Sequence, residues 1–369
     1  MTRIGRITPI GVKLPLTQPM TRAKGELRTS DNLMVRVECG DVVGWGEAGS
    51  APTMTGELLP GMISAVEYLA PFVEGLPLDD IAGASAAMEH HLYGNSGAKA
   101  AIEMALYDAL GKSLGKPVYE LLGGKRRERV AALRYLASGD AERDAKDAAR
   151  LSAEGYVAYK IKIGAAAVPH EIERTRRICA AVGEGALISA DVNQGWNVDR
   201  AIEYVRAVAD TPLAFLEQPV PADDLAGMAK VAAASRIEIG CDEGVRHASD
   251  VKRHHEACAA QGASLKIGKL GGIAPVQLAA RFCQELRMKV NLACKIAESG
   301  IGTAAVLHLA AALPALDWGV SLTSQYLAED VLATPLVFAE GHVIVPSGPG
   351  LGVAVDEARV RRLSVLHGT

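Results

Sequence analysis

The feature that most constrains the fold is a repeat that begins near residue 129 and continues through most of the remaining chain. Each repeat has a short apolar run, which indicates a buried strand, followed by an amphipathic stretch with helical periodicity. Strands that alternate with helices form parallel sheets, and eight such units predict a closed (β/α)8-type barrel. No glycine-rich dinucleotide fingerprint opens a predicted helix, which argues against an open doubly wound sheet. The eight apolar runs are residues 130–137, 156–164, 186–195, 213–220, 237–244, 263–272, 288–295 and 316–324.

The beginning of the chain follows a different pattern. Two alternating stretches rich in Val and Ile, residues 3–15 and 32–47, predict a small antiparallel sheet. Helical periodicity follows at residues 60–74 and 97–115. We therefore expect three parts: an α+β domain over residues 1–125, a barrel over residues 126–355 and a C-terminal tail over residues 356–369.

Two polar segments in the first domain, near residues 16–30 and 49–57, are too long to be tight turns. Segments of this length without regular structure are uncommon in compact domains, and they usually act as lids or are disordered. We therefore predict a loop at each place.

Composition excludes several classes of partner. Lys and Arg number 39 against 43 Asp and Glu, a net charge of −4, so the basic excess that binds nucleic acid is absent. No uncharged run of about 18 apolar residues occurs, so no membrane span is predicted. The six cysteines are scattered without a C-x-x-C pair, and the first residues, MTRIGRITPI, lack the apolar core of a signal peptide. We therefore expect a cytoplasmic protein with reduced thiols.

Charged side chains lie at the ends of five successive predicted strands, where the chemistry of a (β/α) barrel takes place. Charge inside a barrel is costly unless it is paired or bound to a metal. Asp191, Glu217 and Asp242 are separated by 26 and 25 residues, which is one βα unit per step. We therefore predict one charged site, with Lys269 turned to the other face of the sixth strand. The charged and amide residues at these ends are Lys160 and Lys162, Asp191 and Asn193, Glu217, Asp242 and Glu243, and Lys266.

This set of residues favours one class of chemistry. Three converging carboxylates repel each other unless a cation lies among them, and oxygen ligands without His or Cys favour Mg²⁺ over zinc. Lysines beside that ion are expected to have a lowered pKa and to act as bases, while the ion stabilises the charge left on carbon. The residues therefore predict removal of a proton α to a carboxylate through an enediolate. A Schiff-base barrel enzyme, in which a lysine attacks a carbonyl, stays open as a distant alternative.

Five motifs at the strand ends resemble those of a known family. In their order along the chain they are similar to the enolase superfamily and, within it, to the muconate-lactonizing (muconate cycloisomerase) subgroup of the mandelate racemase/muconate lactonizing enzyme family. The resemblance covers nearly the whole chain. It implies an isomerase, a homo-oligomer, with a modified TIM barrel of the (β/α)7β type, an N-terminal α+β capping domain and a C-terminal tail that returns to the cap. The motifs are YKIKIG (159–164), DVNQGW (191–196), LEQPV (216–220), GCDEG (240–244) and SLKIGKLGG (264–272).

The resemblance also implies a role for each residue. Lys162 would be the base on one face of the substrate carbon, with Lys160 lowering its pKa and contacting the carboxylate. Lys266 would be the acid or base on the opposite face. Asn193 would contact the metal site or the substrate, and Glu243 would lie behind the metal or pair with a lysine. The two polar segments of the cap would close over the site and select the substrate. The implied ligands of Mg²⁺, with Mn²⁺ as a substitute, are Asp191, Glu217 and Asp242.

Departures from the family pattern narrow the predicted reaction. The sixth strand has Lys266 where the mandelate racemase branch has His, and the eighth has Ser321 and Thr323 where dipeptide epimerases have Asp-x-Asp. Glu298 resembles an acidic residue of the subgroup, whereas Lys295 is unusual and would bind a second carboxylate or pair with Glu298. We predict a muconate-type cycloisomerase acting on a small (di)carboxylate. A racemase or epimerase of amino-acid derivatives stays open, as does a syn-dehydratase of the o-succinylbenzoate synthase or hydroxyproline type.

Overall fold

The computed structural model describes residues 2–22 and 25–367. An antiparallel sheet packed with helices comes first, and a parallel barrel follows it, as the repeat predicts. The strands are β1 (Ile7–Arg22), β2 (Gly25–Cys39), β3 (Val42–Gly49), β4 (Arg129–Ala131), β5 (Arg134–Leu136), β6 (Ala158–Lys162), β7 (Leu187–Asp191), β8 (Leu213–Glu217), β9 (Glu238–Cys241), β10 (Gly262–Leu265), β11 (Lys289–Ala293), β12 (Val320–Ser321), β13 (Phe338–Ala339), β14 (His342–Ile344) and β15 (Ser364–His367). The helices are α1 (Leu59–Val73), α2 (Ile81–His91), α3 (Ser96–Leu114), α4 (Val118–Leu121), α5 (Ala141–Ala153), α6 (Val168–Ala181), α7 (Val198–Ala207), α8 (Leu225–Ala234), α9 (Ala248–Glu256), α10 (Ile267–Leu270), α11 (Ile273–Glu285), α12 (Gly300–Ala312) and α13 (Glu357–Leu363), and a 3-10 turn covers Ser324–Tyr326.

The N-terminal sheet has the strand order β15–β1–β2–β3, with antiparallel neighbours. The loop predicted near residues 16–30 is wrong for the described part of this segment, because β1 continues to Arg22, β2 begins at Gly25 and the two strands pair. Their pairing is interrupted after Pro15, which lacks an N–H donor, and resumes where Met20 faces Leu27. Met20 is buried, so the hairpin has an apolar anchor within a segment of polar composition. Residues 23 and 24 lie outside the described residues.

Eight parallel strands, β5 to β12 in sequential order, form the barrel. The sheet closes where Ala132 pairs with Val320 of β12. Helices fill the seven connections between these strands and none follows β12 directly, which confirms the modified (β/α)7β barrel. The first predicted strand, 130–137, is divided: β4 pairs with β14 in a separate three-stranded sheet, and β5 enters the barrel. No helix of the described residues is long and apolar enough to cross a membrane.

The barrel interior below the strand ends is filled by two aromatic rings. Trp318 stacks on Phe215, with ring centroids 4.0 Å apart and planes within 10° of parallel. The indole fits because two strands carry glycine beside it: a Cβ on Gly262 would lie 2.3 Å from the ring, and one on Gly240 would lie 2.9 Å from it. These rings fill the lower part of the barrel, and the cavity described below lies at its other end, toward the N-terminal sheet.

Two buried carboxylates of the N-terminal region accept hydrogen bonds from the first turns of barrel helices. Glu103 on α3 accepts from the backbone N of Ile273 at the start of α11. Glu47 on β3 accepts from the backbone N of Ser299 (2.8 Å) and Gly302 (2.9 Å) and from Ser299 Oγ (2.6 Å), at the start of α12. Burial raises the pKa of both carboxyl groups, to about 7 for Glu103. Carboxylates at helix N-termini satisfy unpaired N–H groups, so these contacts attach the sheet to the barrel.

Replacing Glu47 with alanine is expected to lower the free energy of unfolding by about 3 kcal/mol, because buried N–H groups of α12 lose a charged acceptor. Urea denaturation followed by circular dichroism measures the change. Glu67→Ala, on the exposed side of α1, is the control and should change the free energy by less than about 0.5 kcal/mol. A loss of less than about 1 kcal/mol for Glu47→Ala would contradict this attachment.

Candidate active site

A cavity of about 280 Å³ lies between the carboxyl ends of the barrel strands and the N-terminal region. Residues of β2 and of the turn at 50–54 form its wall on the side of the cap. Two of the ten predicted site residues do not line the cavity but contact residues that do. Asp242 accepts a hydrogen bond from Lys266 Nζ, and Glu298 accepts one from the backbone N of Lys295. The other eight line the cavity: Lys160, Lys162, Asp191, Asn193, Glu217, Glu243, Lys266 and Lys295.

Strand register brings these side chains to one level. Lys162 of β6 pairs with Asp191 of β7, and Asp191 pairs in turn with Glu217 of β8. Glu217 pairs with Gly240 of β9, so Asp242 lies two residues further along the same direction. Because side chains alternate along a strand, Lys160 and Lys162 share the interior face. The regular spacing in the sequence therefore corresponds to one layer of charged groups.

Each of the three carboxylates in this layer is bound to a lysine, and all six side chains have little solvent exposure. Removing one member of such a buried pair leaves the other charge without a partner, which is costly. The pairs are Lys160 with Glu217, Lys162 with Asp191 (Nζ to Oδ2, 2.5 Å) and Lys266 with Asp242.

The charges in this layer shift the pKa values of their neighbours. Burial, and then the negative charges of Asp191 and Asp242, raise the pKa of Glu217. Burial opposes ionisation of Asp242 as well, but the adjacent Lys266 and Lys269 outweigh it and hold the pKa of Asp242 below its usual range. The sequence predicts a lowered lysine pKa beside a bound cation, and this stays a prediction; the carboxylates by themselves have the opposite effect on Lys266. Burial alone would lower its pKa, but the surrounding carboxylates, with Asp242 first among them, raise it above its ordinary value.

The donor chemistry of the three carboxylates suits a hard divalent cation. All donors are oxygen atoms at adjacent strand ends, and the pKa of Glu217 is raised first by burial and then by the charge of Asp191. As arranged here, residues 2–22 and 25–367 contain no group of three or more His, Cys, Asp or Glu side chains that could hold a metal ion. Each carboxylate instead holds an ammonium group. The residues therefore fit Mg²⁺ once the lysines release the carboxylates.

Lys269 belongs to the charged layer, and its predicted placement on the other face is wrong. Strand β10 ends at Leu265, and the short helix α10 that follows turns Lys269 back toward the site. Its Nζ lies 2.6 Å from Asp242 Oδ1 and donates to Ser264 O at 2.9 Å. The signal that could have identified this turn is the Gly-Gly pair after Leu270: Gly271 has φ +92°, as expected for the end of a helix.

Two amide side chains that sequence reasoning missed hold the layer in place. Gln218, with a left-handed backbone (φ 36°), accepts from the backbone N of Asp242 (2.9 Å) and of Gly244 (3.1 Å). Asn291 on β11 accepts from Lys160 Nζ at 3.2 Å. The sequence gives no sign of these contacts, because Asp242 is 24 residues from Gln218 and Lys160 is 131 residues from Asn291.

Asn193 connects two parts of the site. Its backbone is left-handed (φ 47°), a conformation that asparagine tolerates, and its N donates to Asp191 Oδ1 at 2.9 Å. Its side chain accepts from Lys162 Nζ and donates to Glu243 Oε1, each at 3.3 Å. Glu243 Oε2 is buried and has no hydrogen-bond partner within the described residues. Burial, followed by the charge of Asp242, raises the pKa of Glu243 to about 7.

Lys295 and Glu298 follow β11 and lie beside the cap. Lys295 Nζ contacts Ser30 Oγ of β2 at 2.6 Å. Glu298 accepts from the backbone N of Lys295 (3.1 Å) and of Gly49 (3.3 Å). Burial, and then the charge of Glu47, raises the pKa of Glu298 to about 7. The seventh strand end is therefore joined to two strands of the N-terminal sheet.

Comparisons with known proteins agree with this geometry. Residues 7–123 match the family model described as mandelate racemase/muconate lactonizing enzyme, N-terminal domain. Residues 143–359 match the model described as enolase C-terminal domain-like. Together the two matches span both the cap and the barrel.

Individual relatives match over nearly their full length. The chain is 32% identical to a chloromuconate cycloisomerase of Cupriavidus pinatubonensis over 96% of both chains. It is 28% identical to an N-succinyl-L-Arg/Lys racemase of Bacillus cereus over 99% of both. Among solved structures, the muconate lactonizing enzyme of Pseudomonas fluorescens complexed with muconolactone superposes with a TM-score of 0.95 and 31% identity, covering 99% of this chain and 100% of that one.

Proposed function

Because the chain belongs to the mandelate racemase/muconate lactonizing enzyme family of the enolase superfamily, and is thus an isomerase, we propose that it is a muconate-type cycloisomerase acting on a small dicarboxylate. The observation that carries this proposal is the placement of Lys162 and Lys266. They lie on the second and sixth strand positions of an eight-stranded barrel, and therefore on opposite walls of one cavity. A planar substrate between them would present one face of its reacting carbon to each lysine.

The proposed reaction forms a lactone without loss of atoms. An oxygen of one carboxylate bonds to the carbon β to the other carboxylate, and the electron pair of the double bond moves to the α-carbon. The α-carbon then takes a proton from a lysine Nζ, and the same steps in reverse open the ring. Proton transfer by a lysine or histidine, with the charge held on an enediolate, is the chemistry shared by this superfamily. Lys162 serves one face of the α-carbon and Lys266 the other.

The remaining charged residues prepare the site for this step. Asp191, Glu217 and Asp242 would hold Mg²⁺, or Mn²⁺ in its place, which when bound supplies positive charge beside the substrate carboxylate. Lys160, fixed by Asn291, contacts that carboxylate and orients it. The packed barrel interior excludes water from below, so proton transfer is confined to the lysines.

A racemase of N-acyl amino acids is the second candidate, and the same pair of lysines favours it. Two bases on opposite walls allow one lysine to remove the α-proton while the other returns a proton to the opposite face. The relative from Bacillus cereus is named as an N-succinyl-L-Arg/Lys racemase. A dipeptide epimerase is less well supported, since Ser321 and Thr323 occupy the eighth strand end.

Solvent deuterium incorporation at the α-carbon tests the proposal. The purified protein is incubated in D₂O with Mg²⁺, and in parallel with EDTA, with cis,cis-muconate, N-succinyl amino acids, dipeptides or o-succinylbenzoate precursors. We expect muconate to give a lactone with one deuterium at the α-carbon. Racemisation of N-succinyl amino acids without lactone formation would favour the second candidate. Trapping of substrate on a lysine by borohydride without metal would favour a Schiff base, and no exchange by folded protein with Mg²⁺ would refute enediolate chemistry.

A further inference from the structure

The first barrel strand brings an aromatic ring to the proton-transfer lysine, and we propose that Tyr135 is a positioning residue whose ring face holds the Lys162 ammonium group beside the substrate carbon. The inference deepens the proposed function, on which it rests for the role of Lys162. Tyr135 lies on β5 and lines the active-site cavity. It pairs with Lys160 of β6, so both side chains share the interior face of the barrel.

The ring of Tyr135 lies under the ammonium group of Lys162. Lys162 Nζ is 5.0 Å from the centroid of the ring. At this distance the negative face of an aromatic ring attracts a cation, and the attraction grows when water is excluded. The Lys162 side chain is only 6% exposed, so its contact with the ring belongs to the stronger, desolvated kind.

Tyr135 is itself held by a second ring. Tyr326 stacks on it, with ring centroids 5.3 Å apart and planes within 15° of parallel. The Tyr326 hydroxyl accepts from the backbone N of Tyr135 at 2.7 Å. The guanidinium carbon of Arg134 lies 4.9 Å from the centroid of the Tyr326 ring. Arg134, the two rings and Lys162 therefore form one continuous series of contacts, in which each ring also has a cationic partner.

This series of contacts crosses the place where the barrel closes. Tyr135 belongs to β5, the first barrel strand, and Tyr326 lies in the 3-10 turn that follows β12, the last one. The sheet closes just beside them, where Ala132 pairs with Val320. The orientation of the Tyr135 ring is thus set by the fold, before any ligand binds.

The other contacts of Lys162 Nζ show why the ring matters. Asp191 Oδ2 lies 2.5 Å away, and Asn193 Oδ1 lies 3.3 Å away. Asp191 is a proposed ligand of Mg²⁺, so this contact is given up when its carboxylate binds the metal. The Asn193 contact is longer than a normal N–H···O hydrogen bond. Because lysine has a flexible four-carbon stem, the ring is the contact that keeps Nζ in place during the reaction.

The hydroxyl of Tyr135 does not serve as a base in place of the lysine. Burial raises the pKa of Tyr135 above its ordinary value, although the nearby charges of Lys160 and Lys266 oppose this shift. The phenol therefore stays protonated at neutral pH. The ring, rather than the hydroxyl, is the part of the side chain to which we assign the role.

A spectroscopic signature tests the contact without any need for turnover. Protein labelled with [¹³Cε]lysine is loaded with Mg²⁺, and the signal of Lys162 is identified by its loss in Lys162→Arg. Protons above the face of an aromatic ring are shifted upfield. We therefore expect the Cε proton signal of Lys162 to move downfield in Tyr135→Leu, and to stay close to its wild-type position in Tyr135→Phe. An unchanged signal in Tyr135→Leu would overturn the contact.

Turnover tests the consequence of the contact. Tyr135→Leu should lower kcat by about 10-fold, with KM little changed, in each reaction that Lys162→Ala impairs. Tyr135→Phe keeps the ring and should restore nearly all of this loss. In the Lys162→Ala background, Tyr135→Leu should cause no further loss, because the ring acts through the lysine. Tyr93→Leu, at a tyrosine that is 96% exposed, is the matched control and should leave kcat unchanged.

A fluorinated ring keeps the test decisive if Tyr135→Leu does not fold. Replacement of Tyr135 by pentafluorophenylalanine keeps a ring of similar shape but removes the negative charge of its face. We expect this protein to have a native circular dichroism spectrum and a kcat about 10-fold below that of Tyr135→Phe. Equal kcat values for these two proteins would show that the ring acts by shape alone, and would overturn the proposal.

The two proposals fail in different ways. Absence of turnover with every substrate would refute the proposed function, while the signal of Lys162 would still report its contact with the ring. In active protein, the role of Tyr135 would be overturned by an equal loss in Tyr135→Phe and Tyr135→Leu, or by a further loss in the Lys162→Ala background. Full activity of Tyr135→Leu where Lys162→Ala is impaired, or of Lys162→Ala in every reaction, would overturn it as well.

Discussion

Lys162→Ala and Lys266→Ala are expected to lower α-carbon exchange and turnover by about 1,000-fold or more on the face that each lysine serves, because the proposed reaction transfers its proton through that lysine. Proton NMR in D₂O with stereospecifically deuterated product measures the effect on each face. The pattern of loss separates the two candidate reactions. A lactonisation needs proton transfer on one face, so one variant should lose far more activity than the other, whereas racemisation needs both lysines.

Lys230→Ala is the matched control, since this lysine is exposed on α8 away from the cavity. It should retain wild-type turnover. Both active-site variants also need a check of folding, because each leaves a buried carboxylate without its ammonium partner. Exchange that persists in both variants, at the wild-type rate and with native circular dichroism, would refute the assignment of these bases.

Removal of divalent metal should lower turnover by at least about 1,000-fold, because the negative charge that forms on the substrate carboxylate loses its main electrostatic stabilisation. Dialysis against EDTA, followed by titration with Mg²⁺ or Mn²⁺, measures the loss and its recovery. The paramagnetic signal of Mn²⁺ reports binding without any need for turnover. Glu217→Gln should weaken Mn²⁺ binding by about 10-fold or more, since one anionic ligand becomes neutral.

Glu238→Gln provides the control for the metal experiment. Glu238 opens β9, at the end of the barrel away from the cavity, and pairs with Lys289. Its replacement should leave Mn²⁺ binding unchanged. Full turnover after exhaustive removal of metal, or unaltered Mn²⁺ affinity in Glu217→Gln, would contradict the proposed ligands.

Much of the architecture could be predicted from the sequence, because the barrel strands and helices recur as a periodic pattern of apolar and amphipathic segments. The βα repeat identifies the barrel, and one charged residue per repeat identifies the strand ends. Two predictions were wrong because a local sequence pattern was applied beyond the element to which it belongs. Alternation along the sixth strand does not reach Lys269, because α10 begins at Ile267. The polar segment of the cap forms paired strands, because buried Leu16 and Met20 and the cross-strand pairing determine its conformation.

Other parts of the site depend on contacts between distant segments. The sequence leaves two interpretations of Lys295, since nothing near it shows that Ser30 and Gly49 lie alongside. Gln218, which follows β8, and Asn291 on β11 could not be identified either, because the partners of these amides are known only once the strands are paired. The candidate catalytic residues can thus be found from their spacing along the sequence, whereas the shape of the cavity depends on tertiary packing.

The contact between Gly49 and Lys295 also limits how such a protein can change in evolution. The lysine belongs to the barrel and the glycine to the cap, so this wall of the cavity is completed only where the two meet. A recombinant chain that received the cap of a relative would keep its proton-transfer lysines intact. It would keep Lys295 in its present position only if the incoming cap also had glycine at position 49, because a Cβ there would lie 2.5 Å from the lysine Cδ.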